Sequence, residues 1–512
     1  MSEIKKLAGQ TMWYGVSSIA ARFLNYLLVP YITYKLDKSL YGEVSTLYAA
    51  IPFLNVIFTY GLETAYFRYA KTPGEHERVY NTASISLLST TVVFTTLLIL
   101  LRVPLAHLLL VDKHPEYITY SALIIGLDAA STLAFARLRY EGRPRKYALV
   151  RILGILVNIG ATFFFLSYCP RLYEQDPHSF VHAFYRPDYQ VGYLIIANLL
   201  QAGITFLILA RGIFAFRWHF EPRFWTELLV YSSPLILAGF AGMINETFDR
   251  IMLGKLSSAP TEEARLAEVG IYGACYKLSI LITLFIQAFR MGAEPFFFKQ
   301  AQREGQDPRR TYARVMKLFV IVICFMFLVV ALFLDIWGHF IAKPYRVGLG
   351  VVPILLLANM FLGVYYNLSI WYKLSNKTGA GAWITLIGAA ITLVINFLFI
   401  PRFGYYACAW ATFFCYGTMM AVSYSWGQKA YRVPYPTKKL IAYFVITVAL
   451  FGLQTAFNAI GLNEWINRAF GLLLLGLFGG FLLTVERKEF AKLPLVGRYF
   501  RGPAASPAPR TQ

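Results

Sequence analysis

The sequence reads as an all-α polytopic membrane protein, and three observations carry that reading. Of 512 residues, 57% are apolar or aromatic and only 15% are charged, where soluble domains run nearer half apolar and a quarter charged. Runs of about 20 apolar residues, the length that crosses hydrocarbon as a helix, recur fourteen times, at 11–33, 42–65, 83–102, 117–137, 148–168, 190–210, 226–254, 270–290, 316–336, 348–371, 380–400, 405–427, 440–460 and 466–484. Lysine and arginine are also shared unevenly between alternate connections. With the N-terminus placed in the cytoplasm, and residues near a span's end counted with the adjoining segment, 33 of the 48 fall on inner segments and 13 on outer ones, while Arg22 and Lys277 lie deep within spans. That bias is the one cytoplasmic loops carry, and an even number of spans puts the C-terminus inside as well.

The formal charge of +21 would point a soluble protein toward nucleic acid. Here the basic stretches 137–147 and 299–317 are cytoplasmic loops facing anionic headgroups, and nucleic acid is excluded as a partner. Five scattered cysteines, with no CxxC, read as small buried hydrophobes. The first span exceeds 20 residues without a small-residue cleavage site and reads as a retained helix. No GxxxxGK[ST] occurs, so the chain carries no P-loop of its own and does not read as an ATPase. The longest outer loop, 169–189, carries His178 and His182 four residues apart, without a Cys or HExxH context; they read as loop histidines, and neither metal nor cofactor is expected. Outer loops this short do not house a catalytic domain, so the expectation is a non-enzyme.

A motif recurs along the chain. Lys35-Leu36 at the exit of the first span is followed by Tyr41-Gly42 at the start of the second, and Lys255-Leu256 and Tyr272-Gly273 repeat the arrangement at the seventh and eighth. Internal repeats of this kind mark transporters. The expected organisation is an N-lobe of helices 1–6 (1–216), a C-lobe of helices 7–12 (217–430) related by an axis along the membrane normal, and an appended pair of helices with a basic cytoplasmic tail (431–512).

Ionisable groups within spans cost about 2.5–3.5 kcal/mol each on insertion scales and usually face a cavity or a partner. Arg22 shares a helical face with Gly15, Ser18, Asn25 and Tyr26, and Gly239, Gly242, Glu246, Asp249 and Arg250 share one side of the seventh span. Both faces are candidates to line water. For Glu246, Asp249 and Arg250 a purely structural pairing, Glu246 with Arg250 or Asp249 with Lys277, stands level with a cavity role. Arg22 and Lys277 have no acidic partner on their own helices, which favours function. Asp128, alone in the fourth span, is either a proton or cation site or a buried structural carboxylate. Glu63 and Arg68 read as interface anchors. Prolines 30, 234 and 353 lie within spans and predict kinks. Tyr26 and Tyr272 are candidates to stack on sugar rings.

The segments "IKKLAGQTMWYGVSSIAARFLNYLLVPYI", "YSSPLILAGFAGMINETFDRIMLGKL" and "VGIYGACYKLSILITLFIQAFRMGAEPFFFKQ" resemble the polysaccharide flippases of the multidrug/oligosaccharidyl-lipid/polysaccharide exporter superfamily. The resemblance covers residues 1–430, with Asp-Arg followed by Gly-Ile-Tyr-Gly as its most specific part. It implies two lobes around a central cavity lined by the first two helices of each. It also implies outward movement of a polyprenyl-pyrophosphate-linked oligosaccharide by alternating access, in a bacterial inner membrane, for cell-surface polysaccharide or lipopolysaccharide synthesis. Fourteen helices is the count of the related lipid II flippases, and that substrate is the first alternative. A drug or cation antiporter and a membrane polymerase or ligase follow. On this reading Arg22, Lys277 and Arg250 form a cationic substrate site, with Asn25, Tyr26, Glu246 and Asp249 as polar lining and Asp128 as the candidate for H+ or Na+ coupling. The expected partners are the lipid-linked sugar, membrane lipids and polysaccharide polymerase machinery, with the chain itself a monomer.

Overall fold

The computed structural model describes residues 19–20, 22–70, 73–301, 307–375 and 377–490. Lys5, Lys6, Gly15, Ser18, part of the 299–317 loop and most of the basic tail fall outside the described residues. Every described element is helical. Helix 1 is described over 22–35, followed by helix 2 (Lys38–Thr59), helix 3 (Pro73–Leu100), helix 4 (Glu116–Tyr140), helix 5 (Pro144–Phe163), helix 6 (Gln190–Ile213) and helix 7 (Pro222–Glu246). Helix 8 (Glu262–Ala301), helix 9 (Arg309–Ala331), helix 10 (Val352–Leu368), helix 11 (Thr378–Phe403), helix 12 (Tyr405–Ala430), helix 13 (Thr437–Asn458) and helix 14 (Glu464–Val485) complete the set. Each span expected from the sequence has its helix. Twelve of the described helices are long and apolar enough to cross a membrane; helix 1 is described in part, and helix 12 is long enough but less apolar. The chain is a multi-pass membrane protein.

Local chemistry sets the breaks. Asp37 caps helix 2, its carboxylate accepting from the amides of Ser39 and Leu40 at 2.9 Å each, which separates helix 1 from helix 2 at the polar stretch Lys35–Ser39. Tyr60 and Gly61, at φ 31° and 73°, end helix 2 in a left-handed turn. Helix 5 runs on through a π-turn, Phe164–Tyr168, into Cys169–Gln175, so the first residues of the expected outer loop extend the rod. Pro234 lies inside helix 7. Pro353 instead sits in the first turn of helix 10, after the 3-10 segment Lys343–Val351, where its missing N–H leaves no bond unmade. All five cysteines are buried and unpaired.

The chain divides into two compact units, Met1–Gln306 with Gly338–Arg432, and Asp307–Trp337 with Val433–Gln512. The sequence grouped the ninth span with helices 7–12; in the structure helix 9 belongs to the second unit with helices 13 and 14. The reason is a buried carboxylate. Glu486, just past helix 14, accepts from Lys317 of helix 9 at 2.6 Å and from Tyr443 and Lys439 of helix 13 at 2.7 and 3.1 Å. At the other end Arg468 pairs with Asp335 at 2.6 Å.

In the first unit the repeated Tyr-Gly motif has a packing role. Helices 2 and 8 lie against each other with backbone almost touching backbone. A Cβ on Gly42 would lie 1.9 Å from the Leu266 carbonyl oxygen, one on Gly270 would lie 2.0 Å from that of Lys38, and one on Gly273 would meet the Ser45 hydroxyl at 2.6 Å. Only residues without a side chain permit this approach. The preceding tyrosines are buried beside the crossing: Tyr41 sets its ring edge-on to Tyr345 at 5.6 Å, and the Tyr345 hydroxyl donates to the carbonyls of Leu36 and Asp37.

Candidate functional site

A cavity of about 480 Å³ opens among helices 1, 7, 8, 10, 11 and 12 of the first unit. Its charged lining consists of Arg22 from helix 1, Glu246 from the end of helix 7 and Lys277 from helix 8. Two cations against one carboxylate leave the described wall with one net positive charge. None of the three makes a hydrogen bond or ion pair through its side chain to the described residues. Lys277 lies near enough to both Glu246 and Arg250 to interact with their charges. Asn25 and Tyr26 line the cavity as expected from the Arg22 face. The Tyr26 ring stacks on Phe340 with centroids 4.5 Å apart, and its buried hydroxyl has no hydrogen-bond partner among the described residues.

Helix 7 divides the sequence-expected charges into two groups. The seventh span is not one rod: Thr247, at φ −133° and ψ −21°, ends helix 7, and a second helix, Phe248–Leu256, follows. Asp249 and Arg250 are therefore not on the cavity face with Glu246, as continuous helical spacing had suggested, but buried behind it. Arg250 donates to the Glu246 carbonyl at 2.8 Å and to the Asp249 carboxylate at 3.1 Å. The first contact satisfies a carbonyl left open by the helix end, and the second places an anion in the first turn of the new helix. Tyr272 donates to the other Asp249 oxygen at 2.6 Å, and the guanidinium lies over the Tyr276 ring, 4.3 Å from its centroid. The two pairings weighed from sequence, Glu246 with Arg250 side chain to side chain and Asp249 with Lys277, give way to this arrangement. Tyr272, spent on Asp249 and wholly buried, presents no face to a sugar.

Asp128 does not line the cavity. It sits at the surface of helix 4, with Arg151 of helix 5 near enough to act on its charge. Glu63 is ion-paired with Arg139, in keeping with an anchoring role. His178 and His182 stay in loop contacts, the latter stacked on Tyr173 at 4.1 Å, and no group of metal-binding side chains occurs among the described residues.

Much of the cavity wall was missed from sequence. Helix 2, expected to line it, contributes none of its described lining and packs on helix 8 instead. Helix 10 supplies Asn359, Tyr365 and Tyr366, helix 8 supplies Tyr276 and Gln287, and helix 12 supplies Tyr416. The spacing of Asn359, Leu362 and Tyr366 traces one helical face and was the available signal. At one end Tyr366 backs onto Arg290, whose guanidinium lies 4.8 Å from the ring centroid, and Glu294 accepts from Arg290 at 3.2 Å and pairs with Lys373.

Comparison with solved structures agrees with this architecture. The fold matches a structure described as lipid II flippase MurJ in an inward closed conformation, with a TM-score of 0.69 and 11% identity over 92% of this chain and 99% of that one. It also matches an inward-facing multidrug resistance MATE family transporter of the MOP superfamily, with a TM-score of 0.61 and 14% identity over 83% and 95%. An outward-facing structure of such a transporter gives 0.54 and 14% over 85% and 96%. These identities establish a shared fold. No curated protein matches the sequence. The family described as polysaccharide biosynthesis protein matches residues 7–301, more than half of the chain and including Arg22, Glu246 and Lys277, and the chain belongs to that family.

Proposed function

We propose that the chain is a flippase that carries a polyprenyl-pyrophosphate-linked oligosaccharide from the cytoplasmic to the outer leaflet of a bacterial inner membrane by alternating access, with both termini cytoplasmic. The observation that carries the reading is the cavity charge: Arg22 and Lys277 reach it with no described hydrogen-bonding or ion-pairing partner of their own. A pyrophosphate crossing hydrocarbon needs compensating charge, and guanidinium and ammonium groups give phosphate oxygens charge-assisted hydrogen bonds. Tyrosines on helices 1, 8, 10 and 12 offer ring faces and hydroxyls to sugars, while the lipid tail remains in the bilayer. Outward movement of net negative charge gains about 2.3 kcal/mol per charge per 100 mV of inside-negative potential. Asp128 as a proton or sodium site loses support from its place outside the cavity.

Glu246 favours a second reading, an antiporter for cationic cargo, because it puts a carboxylate in the same wall. Complementation of a flippase-deficient strain distinguishes the two. Arg22→Ala and Lys277→Ala are expected to lower surface polysaccharide by tenfold or more, since one charge-assisted hydrogen bond contributes about 1.5–3 kcal/mol, at unchanged protein levels. Lys277→Arg should retain part of the activity. Full activity of the double alanine variant, with cation efflux abolished by Glu246→Gln, would establish the antiporter instead.

A further inference from the structure

A second concavity, about 530 Å³ and almost wholly apolar, lies on helices 3, 4 and 6 and the 214–218 connection, and shares no lining residue with the cationic cavity. It exists because its floor is built of small residues: Ser89, Thr91 and Thr95 of helix 3 face Gly126 and Ala130 of helix 4. A Cβ on Gly126 would fall 2.6 Å from the Thr95 hydroxyl. Large side chains raise the rim, including Phe206, Phe214, Phe216 and the exposed Trp218. The helix 3 lining runs from Ile85 to Thr96. At 1.5 Å per residue that is about 16 Å, close to half of the roughly 30 Å hydrocarbon core. The groove thus has the depth of one leaflet.

Two exposed arginines lie next to one end of it in the chain. Phe216 and Trp218, at the mouth, flank Arg217 in the chain; the Arg217 amide is fixed to the Asn81 side chain at 2.9 Å, one turn of helix 3 below Ile85. Arg211 lies one turn before Phe214, and both arginines are exposed. The nearby carboxylate of Glu221 is engaged by Arg78 at 2.8 Å, so it does not neutralise them. Asp128, beside Leu127 in the groove wall, has Arg151 near enough to act on its charge. The sequence topology makes this end cytoplasmic, and an aromatic residue such as Trp218 suits the headgroup level there.

We propose that this groove is a binding site for an anionic glycerophospholipid of the cytoplasmic leaflet, one acyl chain lying between helices 3 and 4 and the phosphate held by Arg211 and Arg217. A head anchored at that mouth is not positioned by the cationic cavity, so the occupant is a resident lipid and the site stands independently of what the cavity transports. The test uses the full chain in proteoliposomes doped with phosphatidylglycerol or phosphatidylethanolamine bearing a photoreactive group on the acyl chain. Phosphatidylglycerol should label peptides spanning 85–96 and 123–130 at least about fivefold more than phosphatidylethanolamine, as expected for basic residues near the surface. Arg211→Gln with Arg217→Gln should reduce phosphatidylglycerol labelling to the phosphatidylethanolamine level. Ser89→Trp, at an exposed position on the floor, should lower labelling by both lipids. Equal labelling by the two probes in the unaltered protein would reduce the groove to ordinary lipid-facing surface and overturn the proposal. Displacement of the probe by polyprenyl phosphate at lower concentration than by unlabelled phosphatidylglycerol would assign the groove to a substrate tail and overturn it equally.

Discussion

Two groups of charge meet where helix 7 ends and the Phe248–Leu256 helix begins, and the fold treats them in opposite ways. Glu246 and Lys277, with Arg22 across from them, face open space and make no side-chain hydrogen bond or ion pair to the described residues. Asp249 and Arg250, three and four residues past Glu246, are 2% and 9% exposed and satisfied by each other, by a helix-end carbonyl and by Tyr272. A charge in a membrane protein must be hydrated or paired. The break at Thr247 decides which remedy each residue receives, because it turns Asp249 and Arg250 off the face that Glu246 occupies.

The largest expected effect follows from removing one half of the locked pair. Arg250→Ala leaves a buried carboxylate without its cation, which costs about 3–5 kcal/mol in comparable sites, and should sharply lower both yield and the melting temperature in detergent. Lys277→Ala, one cavity wall away, should change the melting temperature little. Equal melting of the two variants would erase the distinction between the groups.

That distinction was only partly legible in the sequence. Arg22, Lys277 and Glu246 stood out because charge inside an apolar run is expensive wherever it occurs, and an unbroken helical wheel placed Asn25 and Tyr26 correctly beside Arg22. The same wheel failed at Asp249 and Arg250. Nothing in Glu-Thr-Phe-Asp-Arg announces a helix end by glycine or proline; the end is made by an arginine folding back on a carbonyl, a tertiary choice. The helices were legible from the apolar runs, whereas the company of helix 9 was not, since it depends on where the Glu486 carboxylate finds its cations. The aromatic wall from helices 10 and 12 was hidden for another reason: a tyrosine in a span looks the same whether it faces lipid or a cavity.

A finer measurement of the locked group is Tyr272→Phe, which keeps the ring and removes one hydrogen bond to a buried carboxylate. A loss of about 1–3 kcal/mol is expected, readable as a smaller drop in melting temperature than Arg250→Ala produces. If the phenylalanine variant melts with the unaltered protein, the Tyr272 hydroxyl is not needed to hold Asp249.

The smallest effect extends the comparison to the second unit. Burial pushes the Glu486 carboxyl upward, but hydrogen bonds from Lys317, Tyr443 and Lys439 and the Lys317 charge outweigh it and hold the group below the usual glutamate range. A carboxyl depressed in the folded state stabilises above its unfolded value, about 4.3, and that contribution is lost as pH falls through the lower folded value. Glu486→Gln keeps an acceptor and should cost about 1 kcal/mol at neutral pH. The gap in melting temperature between the two proteins should close progressively below about pH 4.3. A gap that persists unchanged into acid would show that shape, and not charge, holds helix 9 to helices 13 and 14.

The glycines at the crossing of helices 2 and 8 have a consequence in symmetry. Gly42 and Gly273 occupy the same place in the repeated motif, and each lies against the other repeat's helix within a few residues of its own counterpart. A contact in which both sides present the same motif is isologous, the kind that two identical chains make across a twofold axis. The crossing therefore brings two copies of one short motif together, and a substitution at either glycine disturbs the same contact from opposite sides.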